Sequence, residues 1–187
     1  MKKGLILIPF ASKKSYESGV NLKKSIANGA IDIYLKNCCV ACISAKAKSG
    51  DMTDVALVTN IKIPNPYNDL LQNNGVKIIN AEFDDFDFGG NCLWALAFYK
   101  LCALKKAISV TNYDYYSYLD ADVFVQSDYS NIWKECEEFI LMYDICHGLQ
   151  VEHYRNFLLE IENFRKLTGG GVLRYNSLWR RILCGKS

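Results

Sequence analysis

The sequence is short of the features that mark several large protein classes. Three prolines and twelve glycines in 187 residues exclude a collagen-like or low-complexity chain. Charge is balanced, with 22 Lys+Arg against 20 Asp+Glu and a formal net charge of +2. That lacks the basic field of a dedicated nucleic-acid binder. No apolar run approaches the roughly 20 residues of a transmembrane helix. Lys2 and Lys3 precede a short run, Leu5-Ile6-Leu7-Ile8, but Pro9 stops it, so a cleaved signal peptide is not expected. What the chain does have is a 50% hydrophobic composition and 13% aromatics, twelve of them tyrosine. Its length suits one domain with a sizeable core.

Eight cysteines, Cys38, Cys39, Cys42, Cys92, Cys102, Cys136, Cys146 and Cys184, are spread along the chain. Seven fall in segments that read as helix or buried strand, where a free thiol packs as a small hydrophobe. Cys39 and Cys42 have C-x-x-C spacing. No second pair and no neighbouring histidine completes a zinc site, and no βαβ context makes the pair a redox motif. Core thiols in a reducing cytoplasm are the expectation.

The hydrophobic pattern alternates between buried strands and helices. Residues 4–9 form a continuous apolar run, the pattern of a strand covered on both faces. A helical periodicity over residues 18–48 follows, with Gly29 a candidate break. Strands are expected at 55–58, 76–79 and 115–119, the last resuming at 123–125 after Asp120-Ala121-Asp122. Pro64-Asn65-Pro66 marks a loop, and a short helix over 67–73 ends near Gly75, a C-terminal glycine cap. A strongly apolar helix is expected over 92–108, a strand over 139–143 and a helix over 151–166. This grammar predicts an α/β domain with a mostly parallel central sheet flanked by helices.

Asp120 and Asp122 interrupt an otherwise apolar stretch, Tyr115-Tyr-Ser-Tyr-Leu-Asp-Ala-Asp-Val-Phe-Val125. Two carboxylates sharing one buried face would be costly. At a strand end they form instead a hard-oxygen site for Mn²⁺ or Mg²⁺, which in turn holds a diphosphate. The competing reading is that both are turn residues or a helix cap. Their place at the carboxyl end of a buried strand, where α/β folds bind ligands, favours the metal–phosphate reading.

The stretch Phe98-Tyr-Lys-Leu101, Asn112-Tyr-Asp114, Tyr118-Leu-Asp-Ala-Asp-Val123 and Ile132-Trp133 resembles the core signature of GT-A fold nucleotide-sugar glycosyltransferases, in particular the glycogenin and lipopolysaccharide galactosyltransferase group. Tyr16-Glu-Ser-Gly19 with Ser25-Ile26 is similar to a second segment of that family. The whole also resembles the capsid-glycosylating transferases of large algal viruses, which implies host cytoplasm as the setting. The resemblance implies a single GT-A-like (Rossmann-like) domain over residues 1–187. Residues 1–133 would bind donor nucleotide and metal, and 134–187 would be an abbreviated acceptor side, in a minimal version of the domain or a fragment of a longer chain. It further implies a UDP-sugar donor, a glycan or glycoprotein acceptor, and Mn²⁺ or Mg²⁺ held by Asp120 and Asp122. Phe10, Ala11 and Ser12 would cradle uracil and ribose, and Tyr16 would pack on the uracil. Ala121 would let the nucleotide cross the backbone, while Lys100 would reach the donor phosphate or sugar. Two bland alternatives stay open: Tyr16 as a surface tyrosine and Lys100 as a snorkelling side chain.

Beyond Trp133 the match thins. Thr168-Gly-Gly-Gly171-Val-Leu-Arg174 stands where the family carries an Asn-x-Gly-Val segment. Gly170 and Gly171 read equally as a close-approach site for the donor and as a flexible loop, and Arg174 as a diphosphate contact or a surface residue. His147 and His153 are too early to match the family's late metal-binding histidine. For the catalytic base, Asp144 is a candidate; Asp84, Asp85 and Asp87 read first as a solvated acidic loop. Rival functions are an inactive sugar-nucleotide-binding module and, disfavoured by the absence of glycine in Pro9-Phe-Ala-Ser-Lys-Lys14, a nucleotidyltransferase.

Overall fold

Leu5, Ile6, Leu7 and Ile8 are each at most 1% exposed, so strand β1 (Gly4–Phe10) is buried on both faces, as its unbroken apolar run requires. The computed structural model describes residues 3–13, 27–89, 95–129, 131–137 and 185–186. By contacts the chain forms two compact units, Met1–Leu141 with Ile182–Ser187, and Met142–Arg181; every described residue lies in the first. The strand expected at 139–143 and the helix at 151–166 fall outside the described residues.

After β1 come α1 (Ala27–Lys48), β2 (Thr53–Thr59), α2 (Tyr67–Asn73), β3 (Lys77–Asn80), a 3-10 turn (Ala95–Phe98), α3 (Tyr99–Val110), β4 (Tyr115–Tyr118), α4 (Ile132–Glu135) and β5 (Gly185–Lys186). The sheet order is β3-β2-β1-β4-β5. The first four strands are parallel, and the two-residue β5 pairs antiparallel to β4. This is the α/β architecture the sequence predicts.

Period-two alternation splits the core into two clusters. Ile6, Ile8, Val55 and Leu57 face α1; Leu5, Leu7, Ala56 and Val58 face α3. In α1 the buried residues Leu35, Cys38, Cys42 and Ala45 recur at three- and four-residue spacing, the stripe of a helix laid on a sheet. The helix runs through Gly29 without the expected break, since a single glycine costs about 1 kcal/mol and packing of the rest offsets it. Cys38, Cys39, Cys42 and Cys102 are free and buried, as a core role demands. Burial, reinforced by neighbouring Cys39, pushes the Cys38 thiol up to about 12. Cys136 departs from that reading: it is disulfide-bonded, with a partner outside the described residues. Among the described residues no helix is long and apolar enough to cross a membrane.

The sequence misplaces one strand. Residues 123–125 do not resume β4. The chain instead turns back along α1, where the Val125 amide donates to Ser44 Oγ at 3.1 Å and the Tyr129 hydroxyl to the Ala45 carbonyl at 2.8 Å. The apolar run there serves helix packing, which periodicity alone does not distinguish from a strand. This return leg ends on Trp133. Its indole stacks on Tyr115 with centroids 6.0 Å apart and donates from Nε1 to Thr53 Oγ1 at 2.7 Å. A Cβ added at Gly4 would lie 2.3 Å from the same ring, so glycine is what lets the indole seat on β1.

A charged cluster ties the opposite ends of these elements together. Asp54 Oδ2 accepts from the Tyr113 hydroxyl at 2.5 Å and from Lys77 Nζ at 2.9 Å, and Lys46 Nζ stands 3.5 Å from Oδ1. Burial alone would raise the Asp54 pKa, but the Tyr113 and Lys77 hydrogen bonds and the lysine charges outweigh it and bring it from 3.8 to about 2.

Two outcomes are expected. Gly4→Ala should destabilise the fold by about 1–3 kcal/mol through overpacking, while Gly4→Ala with Trp133→Leu should cost less than the sum of the two single changes. Urea melts of the four proteins give that coupling. Asp54, its pKa depressed on folding, contributes stability that is complete above pH 3.8 and lost as pH falls through about 2. Asp54→Asn should therefore cost about 1–2 kcal/mol at pH 7, with the gap to wild type closing between pH 4 and pH 2 in the same melts.

Candidate functional site

The sheet order makes β1 the pivot: β2 lies on one side of it and β4 on the other. The strand order reverses between β1 and β4, and the carboxyl edge at such a reversal is where α/β sheets bind ligands. The Asp-x-Asp sequence falls at that edge. The Leu119 amide donates to the Leu7 carbonyl at 2.9 Å, one residue past β4, and the chain then turns, with the Val123 amide donating to the Asp120 carbonyl at 3.2 Å. Ala121 packs partly buried against the α1-side core, and Asp122 is exposed.

Asp120 is the enclosed member of the pair. Its side chain is 12% exposed, and Lys100 Nζ lies 2.5 Å from Oδ1. Lys100 comes from the first turn of α3, on the other face of the sheet, and its ammonium sits 5.2 Å from the centroid of the Tyr118 ring. The aromatic face beneath the ammonium and the carboxylate before it together hold the lysine head at this position. The structure thus brings together two residues that the sequence reading paired only by spacing.

The loop after β1 is fixed by a residue the sequence reading missed. Asn60, directly beyond β2, accepts from the Ser12 amide at 3.0 Å and donates from Nδ2 to the Ser12 carbonyl at 3.0 Å. Its only sequence signal is a carboxamide at the end of a buried strand. Ala11 packs against the α3-side core. Phe10 is the last residue of β1, and its buried ring lies 6.1 Å from that of Tyr34. Lys13 pairs with Asp87 and lies 5.5 Å from the Phe83 ring centroid, holding the Asp87 carboxyl below its ordinary value. Asp85 pairs with Lys105. The acidic stretch that reads as a solvated loop is thus pinned by a lysine on either side.

No group of three metal-ligating side chains is present among the described residues. The hard-oxygen donors just beyond β4 are Asp120 and Asp122. That Asp120 already holds an ammonium shows the position favours positive charge, which fits a divalent cation that keeps several waters. Tyr16, Asp144, Gly170 and Gly171, with His147, His153 and Arg174, lie outside the described residues.

No protein-family model matches the chain, and no curated protein sequence does. Solved structures do. Mouse xyloside xylosyltransferase 1 in its apo form superposes with a TM-score of 0.51 at 10% identity, over 99% of this chain and 67% of that one. Core-mannan synthase A from Aspergillus fumigatus, in an Mn/GDP form, gives 0.49 at 8% identity over 90% of this chain and 48% of that one. The apo glycosyltransferase GlyE of Streptococcus pneumoniae gives 0.44 at 14%, over 93% of this chain and 41% of that one. The chain therefore spans less than half the length of the latter two. At these identities the likeness to the xylosyltransferase speaks to fold, and the fold is GT-A-like.

Asn60→Ala should free the β1 loop. Removing both bonds to Ser12 is expected to cost about 1–3 kcal/mol, with faster hydrogen exchange at the Ser12 amide and no change at the amides of β4.

Proposed function

We propose that the chain is a metal-dependent glycosyltransferase that moves a sugar from a UDP-sugar donor to a glycan or glycoprotein acceptor. The observation that carries this reading is the Asp120-Ala121-Asp122 turn at the β1/β4 switch point, with Lys100 delivered to it across the sheet. The GT-A-like fold supports it, as does the resemblance of residues 98–133 to nucleotide-sugar transferases.

In this reading Asp120 and Asp122 hold Mn²⁺ or Mg²⁺. A divalent cation bound there neutralises the diphosphate and the charge that develops as the nucleotide departs. The chain's own residues do the rest. Ala11 and Ser12, held by Asn60, present a fixed edge to uracil and ribose, and Tyr16 offers a flat amphipathic surface to the base. Ala121, with only a methyl side chain, lets the nucleotide lie close to the backbone. Lys100 supplies positive charge where negative charge develops. Gly170 and Gly171 admit the sugar, and Asp144 takes the acceptor proton. A nucleotidyltransferase is less well supported: its triphosphate loop normally places glycine directly after strand 1, whereas Pro9-Phe-Ala-Ser-Lys-Lys14 has none and Asn60 holds Ser12 at both its amide and its carbonyl.

The test is UDP release from a panel of UDP-sugars with Mn²⁺, for wild type and Asp122→Ala. Because Asp122 is exposed, its loss should alter stability by less than about 0.5 kcal/mol while lowering turnover about 10²-fold or more. EDTA should abolish activity reversibly. Equal rates for the two proteins, or release that ignores metal, would sink the assignment.

A further inference from the structure

Lys100 and Asp120 form the most enclosed of the ion pairs resolved among the described residues, with side chains 28% and 12% exposed. The other lysine–carboxylate pairs have at least one partner more than 30% exposed. Most of those are surface contacts of small net worth. The Lys100 pair is different in place as well as in burial. It stands at the carboxyl end of β4, on one of the two carboxylates the nucleotide-sugar reading gives to the cation. An ammonium 2.5 Å from Asp120 Oδ1 and a divalent cation on the same oxygen exclude each other by charge and by volume.

We propose that Lys100 is an exchangeable internal counter-ion. Without ligand its ammonium, resting above Tyr118, neutralises Asp120 and lowers the site's affinity for a bare divalent cation. When the cation arrives with a nucleoside diphosphate, the ammonium leaves Asp120 for a phosphate oxygen, which the cation's arrival has brought within reach. The exchange leaves no charge without a partner: the carboxylate passes from ammonium to cation, and the ammonium from carboxylate to phosphate. A long flexible stem ending in a compact charge suits this role, since the head moves several ångströms while the stem stays packed on α3. The consequence is order. Cation and diphosphate bind well together, and cation alone binds poorly, so the site is not filled by metal that brings no donor. This inference deepens the nucleotide-sugar reading and rests on it.

The two affinities must then move in opposite directions when the charge is removed. Mn²⁺ binding is measured without nucleotide, from the electron paramagnetic resonance signal of the free ion; UDP binding is measured by calorimetry at saturating Mn²⁺. Lys100→Met should bind bare Mn²⁺ about tenfold more tightly than wild type and UDP about tenfold more weakly. Lys100→Arg, which keeps the charge, should resemble wild type toward bare Mn²⁺. Mn²⁺ should also raise the melting temperature of Lys100→Met more than that of wild type. Should that variant not accumulate as folded protein, Lys100→Gln is expected to give the same pair of shifts. A lysine with a merely structural role would weaken both affinities or neither, and either result overturns the exchange. Wild type that binds no UDP with Mn²⁺ overturns the nucleotide-sugar reading itself. Unchanged Mn²⁺ affinity in Lys100→Met, with UDP bound normally by wild type, overturns the exchange alone.

Discussion

The parallel pairing of β1 with β2 on one side and β4 on the other is the constraint on which the rest depends. The registers Gly4↔Thr53 and Gly4↔Tyr115 align the starts of three strands. Their carboxyl ends therefore emerge along one edge. Asn60, the Asp-x-Asp turn and the loop of residues 11–13 are all consequences of that edge. Covering both faces with helices then lets α3 deliver a lysine from behind the sheet to a carboxylate at its rim.

The same edge explains why similar ion pairs have different meanings. Asp54 at the amino side of the sheet is held by Tyr113, Lys77 and Lys46 from three different segments. There the carboxylate is over-determined, and its lowered pKa records a structural clasp. Asp120 is met by Lys100, on a flexible stem, just beyond the end of β4. Identical chemistry is a fastener where three segments converge and, in the exchange proposed above, a movable contact at the strand end. The clasp and the site are held apart by the length of the strands, so the stability of one does not trade directly against the occupancy of the other.

Much of the fold was legible because parallel strands buried on both faces leave an unmistakable apolar run. Residues 4–9 and 55–58 read correctly, and α2 matches its expected span because Pro66 and Gly75 bracket it. The errors share a cause: local pattern does not say what a segment packs against. Residues 123–125 look like a strand but lie along α1. Gly29 looks like a break, yet the helix continues through it. Cys136 reads as a core thiol and is bonded. At the site, Asp120 and Asp122 stood out as carboxylates in an apolar run, and Lys100 by its distance from them in a resembled pattern. Asn60 was invisible, since a carboxamide after a strand has no distinctive spacing, and its role exists only once residues 12 and 60 are neighbours in space.

The thiols of α1 give the molecule a built-in clock. Cys38 and Cys42 have no solvent exposure, and burial holds their protons on far above neutral pH, so in the closed protein neither is a nucleophile. Both become reactive when α1 lifts from the sheet. Their rate of alkylation by a small electrophile therefore counts openings of the helix that backs β1 and β2. It separates transient breathing of that layer from global unfolding, with no label or substitution added to the chain.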